Sequence, residues 1–80
     1  MQVPINFHIG NIGLAQDSDK PINSIPPMNV GGNMDNRRIG KGATLYLTVA
    51  NAGALLTMGD AHTAQGEGCF CCLYLPLSVY

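Results

Sequence analysis

The chain has 80 residues, a formal net charge of −1, 46% hydrophobic residues and 11% charged residues, which allows one small domain. High hydrophobicity with low charge excludes a disordered chain, and four basic residues are too few for a nucleic-acid-binding face. No apolar run reaches the roughly 20 residues that a membrane-spanning helix needs, and the first residues do not resemble a secretion signal. We therefore expect a cytoplasmic protein with neither a membrane nor a nucleic-acid partner.

The pattern along the chain predicts short strands separated by turns. Strands are predicted at residues 7–15, 44–49, 52–58 and 73–80, the last as an edge strand because it contains Pro76. Segment 52–58 is ambiguous between helix and strand, but the turn at 51–53 favours a strand. Loops or turns are predicted at residues 17–21, 26–33 and 40–42. Several short strands with Gly/Pro turns are typical of a β sandwich or part of one.

The densest cluster of polar chemistry lies in residues 59–68, which contain two carboxylates, one imidazole, one carboxamide and three glycines. Asp60 and His62 are two positions apart, so an extended backbone would place both side chains on one face, where they could ligate zinc. The carboxamide of Gln65 could stabilise an oxyanion, and Glu67 could act as a general base. From spacing alone, a polar turn with a locally bonded His62 is the simpler interpretation.

Two further segments carry candidate residues. The run Gly31-Gly32-Asn33-Met34-Asp35 predicts a turn with positive φ. Asp35 is then a candidate metal ligand or base, although from the residues alone an Asx-type turn with a solvated Asp35 is the simpler interpretation. His8, alone among apolar neighbours, is more typical of a structural histidine than of a ligand. Cys69, Cys71 and Cys72 could bind zinc with His62, but their spacing lacks the gap of typical zinc sites, so free thiols are expected.

Three motifs together resemble the acetamidase/formamidase family. The first is Asp60-x-His62-x-x-Gln65-Gly66-x-Gly68. The second is Gly31-Gly32-Asn33-x-Asp35 followed by Gly42-x-Thr44-Leu45-Tyr46-Leu47. The third is His8-Ile9-Gly10-Asn11-Ile12-Gly13-Leu14-Ala15 followed by Ile25-Pro26-Pro27. The motifs occur in the order of the family and at about its spacing. The resemblance runs from about residue 7 to residue 68.

The resemblance implies a mainly β, sandwich-like fold and an enzyme that hydrolyses formamide or acetamide to ammonia and a carboxylate. It implies a divalent metal, zinc before calcium, held by Asp60 and His62. The implied catalytic residues are Asp35, Gln65 and Glu67, and the implied substrate contacts are Asn33 and Gly66. A small amide substrate and a homo-oligomer are the expected partners.

Two departures from the family affect the expectation. Family members have several hundred residues, so the chain is expected to be a single partial domain, with a divergent tail at residues 69–80. Where the family has a glutamate after Gly68, this chain has Cys69. The alternative function is therefore a catalytically inactive β module, or an oligomerising fragment without enzymatic activity.

Overall fold

A computed structural model describes residues 1–66, and these form a mainly β fold. Strands β1 (His8–Gly13), β2 (Gly31–Asn33) and β3 (Thr57–His62) make one antiparallel sheet in the order β2-β1-β3. Helices are absent from the described residues, so none there could cross a membrane. The predicted mainly β class is confirmed, whereas a second sheet completing a sandwich stays a prediction.

The central strand β1 determines which distant motifs meet. On one side it pairs with β3, so that His8 lies opposite His62 and Gly13 lies opposite Thr57. On the other side it pairs with β2, where Asn11 lies opposite Asn33. The motif around Asp35 and the motif around His62 are therefore brought to the two sides of the same strand.

The core of the described residues is small and lies beside this strand. Val30, Met34 and Ile39 are its buried apolar side chains, and Met34 is fully buried. The backbone N–H of Met34 and the N–H of Asp35 both donate to the carbonyl oxygen of Gly10, at 2.9 and 3.0 Å. Burial of Met34 and these two bonds fix the chain as it leaves β2, which places Asp35 against β1.

The strand predicted at residues 44–49 is wrong. The segment makes no strand in the described structure beyond a single bridge residue at Leu45, and Tyr46 and Val49 are 66% and 59% exposed. β-branched and aromatic residues favour a strand only where another strand pairs with them and covers one face. Among the described residues, none of the strands β1, β2 and β3 pairs with this segment.

The strand predicted at 52–58 is wrong at its start, because β3 begins only at Thr57. Ala54 and Leu55 have φ of 60° and 51°, and the N–H of Ala54 donates to the carbonyl of Asn51 at 3.0 Å. The predicted turn at 51–53 is confirmed, and it continues through Leu55. Two consecutive left-handed residues turn the backbone away from the line of β3, so the apolar run before β3 does not join the sheet.

Among the remaining predictions are two that are confirmed, one that is wrong in part, and several that fall outside the described residues. The strand predicted at 7–15 is confirmed as β1, and the turn at 40–42 is confirmed, with Gly42 at φ 84°. The loop predicted at 26–33 is wrong at its end, since Gly31–Asn33 forms β2. A three-residue strand with two glycines has no recognisable β pattern. The predicted strand at 73–80, the cysteines at 69, 71 and 72, and Glu67 lie outside the described residues.

Candidate metal centre

Three side chains converge at the end of the sheet where β3 finishes. Asp35, Asp60 and His62 each offer one ligand atom, and these atoms lie within 4.8 Å of one another. The Nε2 atom of His62 is 3.2 Å from Oδ1 of Asp35 and 3.3 Å from Oδ2 of Asp60. Two carboxylate oxygens and one imidazole nitrogen form a donor set that suits a divalent cation.

The backbone at both aspartates is unusual and helps to explain the convergence. Asp60 lies within β3 but has φ 56°, and Asp35, just after β2, has φ 45°. Aspartate enters this left-handed region more easily than most residues, because its short polar side chain can bond locally. The two-residue spacing of Asp60 and His62 thus brings the side chains together through a bent strand rather than a regular one.

Two of the polar atoms at the centre lack the hydrogen bonds that burial normally demands. In the described part of the chain, Oδ1 of Asp35 and Nε2 of His62 are buried and make no hydrogen bond, although they lie 3.2 Å apart. An unmet buried polar group costs about 1–3 kcal/mol, so such atoms are uncommon in native proteins. A cation between them would satisfy both, and the residues therefore fit a metal ion.

Gly10 of the central strand lies directly against two of the three ligand atoms. A Cβ atom at this position would lie 2.6 Å from Nε2 of His62 and 2.7 Å from Oδ1 of Asp35. It would also lie 2.9 Å from the carbonyl oxygen of Asp60. Any side chain at position 10 would fill the space between the ligands, so the site requires glycine there.

A second layer of contacts supports the three ligand residues. Asn33 donates through Nδ2 to Oδ2 of Asp35 at 2.9 Å, which leaves Oδ1 directed at His62. Gln65 donates through Nε2 to the backbone carbonyl of Asp35 and accepts at Oε1 a bond of 2.5 Å from Nε2 of His8. The rings of His8 and His62 stack with centroids 4.9 Å apart and planes 9° apart. Contacts of this kind orient metal ligands in many proteins.

The structure brings together five of the residues that the sequence proposed for the site: Asp35, Asp60, His62, Asn33 and Gln65. Gly66 is exposed, with open space around the position of its missing side chain, and Glu67 lies outside the described residues. The roles assigned to all of these residues stay predictions.

Sequence reasoning missed two residues of the centre, His8 and Gly10. From the sequence, His8 is predicted to be a structural residue, and Gly10 is only one of the glycines in a predicted strand. Their two-residue spacing on a predicted strand would put them on one face, which was an available signal. The register that sets this face against His62 was not available, because β1 and β3 are far apart along the chain.

The chain belongs to the acetamidase/formamidase family, whose model matches residues 3–74. It is similar to a formamidase from Methylophilus methylotrophus, with 40% identity, and to an acetamidase from Mycolicibacterium smegmatis, with 38% identity, each over 45 residues. Each alignment covers 56% of this chain and only 11% of the relative. The predicted family resemblance is thereby confirmed.

A solved structure agrees with the sequence comparison. The fold is similar to the crystal structure of an acetamidase from Bacillus halodurans, with a TM-score of 0.74 and 41% identity. The match covers 82% of this chain and 22% of that structure. The chain thus spans a small part of the length of the proteins that it matches.

Proposed function

We propose that this chain supplies the metal-binding part of an amidase active site that hydrolyses short linear amides to ammonia and a carboxylate. The observation that carries the proposal is the convergence of Asp35, Asp60 and His62 around buried atoms without hydrogen bonds. The relatives named formamidase and acetamidase support formamide and acetamide as the substrate class.

Zinc is the cation that the donor set favours. Zinc accepts both imidazole nitrogen and carboxylate oxygen, and catalytic zinc sites use three protein ligands with one position left open. Calcium, the alternative, takes six to eight oxygen ligands, and the nitrogen of His62 fits that preference less well. A zinc ion held here would supply Lewis-acid polarisation of an amide carbonyl and would lower the pKa of a water molecule.

The chain's own residues divide into holding and assisting groups. Asp35 and Asp60 contribute negative charge, and Asn33 fixes one oxygen of Asp35 so that the other faces the centre. Gln65 retains a second Nε2 hydrogen beyond its bond to Asp35, and this hydrogen could be donated to the developing oxyanion of an amide. We assign general-base chemistry to Glu67 and substrate contact to Asn33 and Gly66 as parts of the same proposal.

Titration calorimetry of the purified chain with zinc chloride, and separately with calcium chloride, tests the metal centre. We expect one zinc per chain, with binding lost in Asp35→Asn and kept in Asp19→Asn, an exposed carboxylate in a loop. Ammonia release from formamide and acetamide then tests the activity. Zinc binding without ammonia release would favour the inactive β module, and failure to bind either cation would contradict the metal proposal.

A further inference from the structure

We infer that His8 is a positioning residue of the metal centre, acting on His62 through a ring stack and on Asp35 through Gln65. The inference rests on the proposed metal function and adds a residue to it. It is carried by three observations: the burial of His8, its hydrogen-bond chain and its parallel packing against His62.

The hydrogen-bond chain determines the tautomer of His8. A backbone carbonyl can only accept, so the amide nitrogen of Gln65 must be the atom facing the carbonyl of Asp35. The Oε1 atom of Gln65 therefore faces His8, and Nε2 of His8 carries the hydrogen that it donates at 2.5 Å. The carbonyl oxygen of Asn6 lies 3.5 Å from Nδ1 of His8, and this longer contact competes only weakly for the proton. The chain His8 to Gln65 to Asp35 has one direction of donation throughout.

The stack restrains the ring of His62. His8 lies opposite His62 in the register of β1 and β3, and the two rings are parallel within 9°. His8 is only 3% exposed, so it has little room to move away from its neighbour. The plane of His62 is therefore held where its Nε2 atom faces the two carboxylates.

The bond from Gln65 restrains the backbone of Asp35. Asp35 has a left-handed φ of 45°, a conformation that needs support from its surroundings. Its N–H donates to the carbonyl of Gly10 at 3.0 Å, and its carbonyl accepts from Gln65. Both sides of the residue are thus held, and the second contact comes from the same Gln65 side chain whose Oε1 accepts from His8.

The two actions of His8 can be separated by substitution. His8→Phe keeps an aromatic ring for the stack and removes the donor. His8→Gln removes the ring, while its amide nitrogen lies near the position of the imidazole Nε2 and can donate to Gln65. His8→Ala removes both. Asn11→Ala is the matched control on the same strand, because Asn11 bonds only the exposed hydroxyl of Ser24 among the side chains of the described part.

Zinc affinity is measured by calorimetry for each variant of the full chain, with circular dichroism to confirm the fold. We expect about 10-fold weaker binding in His8→Phe and in His8→Gln, about 100-fold in His8→Ala, and no change in Asn11→Ala. His8→Phe and His8→Gln each keep one of the two contacts of His8. They therefore still test the inference if His8→Ala does not fold. Equal zinc affinity in the wild type and the Phe and Gln variants would overturn the inference alone.

A metal-free readout separates this inference from the proposed function. ¹⁵N NMR of the chain without metal should show His8 as the Nε2–H tautomer, and Gln65→Leu should remove that preference. A wild-type Nδ1–H tautomer would overturn the positioning chain whether or not zinc binds. Absence of zinc binding by the wild type, with the Nε2–H tautomer present, would overturn the metal function and the role of His8 toward it.

Discussion

Asp35 and Asp60 share a left-handed backbone conformation, and their carboxylates approach the same nitrogen atom of His62. Their φ angles are 45° and 56°, and their oxygens lie 3.2 and 3.3 Å from Nε2. Strained backbone persists where surrounding contacts enforce it, and it is concentrated at functional sites. Two such residues at one centre indicate that the chain maintains an arrangement that local preferences alone would not choose.

Replacement of His62 by alanine should abolish zinc binding. The substitution removes the only nitrogen among the three ligand atoms and leaves two carboxylate oxygens to hold the ion. We expect zinc affinity to fall by clearly more than the loss of about 100-fold expected for His8→Ala, because a ligand atom itself is removed. Calorimetry checks the result, and wild-type affinity in this variant would place the metal elsewhere.

Gly10→Ala should disrupt the centre without touching a ligand residue. The new methyl group would lie 2.6 Å from Nε2 of His62, so strand β1 or the ligands must shift. We expect a loss of about 1–3 kcal/mol in the free energy of unfolding, together with weaker zinc binding. Thermal and chemical denaturation, followed by calorimetry, measure both effects.

Gly59→Ala is the matched control for that experiment. Gly59 lies on the paired strand β3, opposite Asn11, and a Cβ there meets no atom within 4 Å in the described structure. We expect unfolding and zinc binding close to those of the wild type. A similar loss in both variants would show that any alanine in this sheet is harmful, and would remove the argument for Gly10.

In the metal-free chain, the variant Asp60→Gly should be more stable than the variant Asp60→Ala. The backbone at this position has φ 56°, which glycine adopts freely and alanine does not. We therefore expect the free energy of unfolding of Asp60→Gly to be about 1 kcal/mol higher than that of Asp60→Ala. Both variants should bind zinc weakly. Thr57 does not have positive φ, so Thr57→Ala should be more stable than Thr57→Gly. If the glycine variant were the more stable one at both positions, the argument from backbone strain would be contradicted.

Gly31→Ala should destabilise the sheet more than Gly42→Ala does. Both glycines have positive φ, 98° and 84°, so both substitutions carry the cost of left-handed backbone. A Cβ at Gly42 meets nothing within 4 Å, whereas at Gly31 it would collide with the carbonyl oxygen of Ile12. We expect a loss of about 1 kcal/mol at Gly42 and at least about twice that at Gly31 by urea denaturation. Equal losses would show that the collision is relieved by a small shift of β1.

The amino-acid sequence by itself determined the family, the mainly β class and most of the polar residues at the centre. The family's Asp-x-His motif points to Asp60 and His62 as ligands, whereas their two-residue spacing alone favours a polar turn. Asp35 and Asn33 were identified through the Gly-Gly-Asn motif, whose predicted positive φ is present at Gly31 and Gly32. Short motifs and the φ preference of glycine are local properties of the chain, so they can be recognised in the sequence.

Only the tertiary structure decided which residues meet. The register that sets His8 against His62, and Gly10 between the ligands, joins strands that are distant along the chain. Within residues 1–66, the same long-range pairing includes Gly31–Asn33 in spite of its glycines, and it does not include residues 44–49 in β1, β2 or β3 in spite of their β preference. Strand pairing depends on which backbone partners are available in space, and local composition does not contain that information.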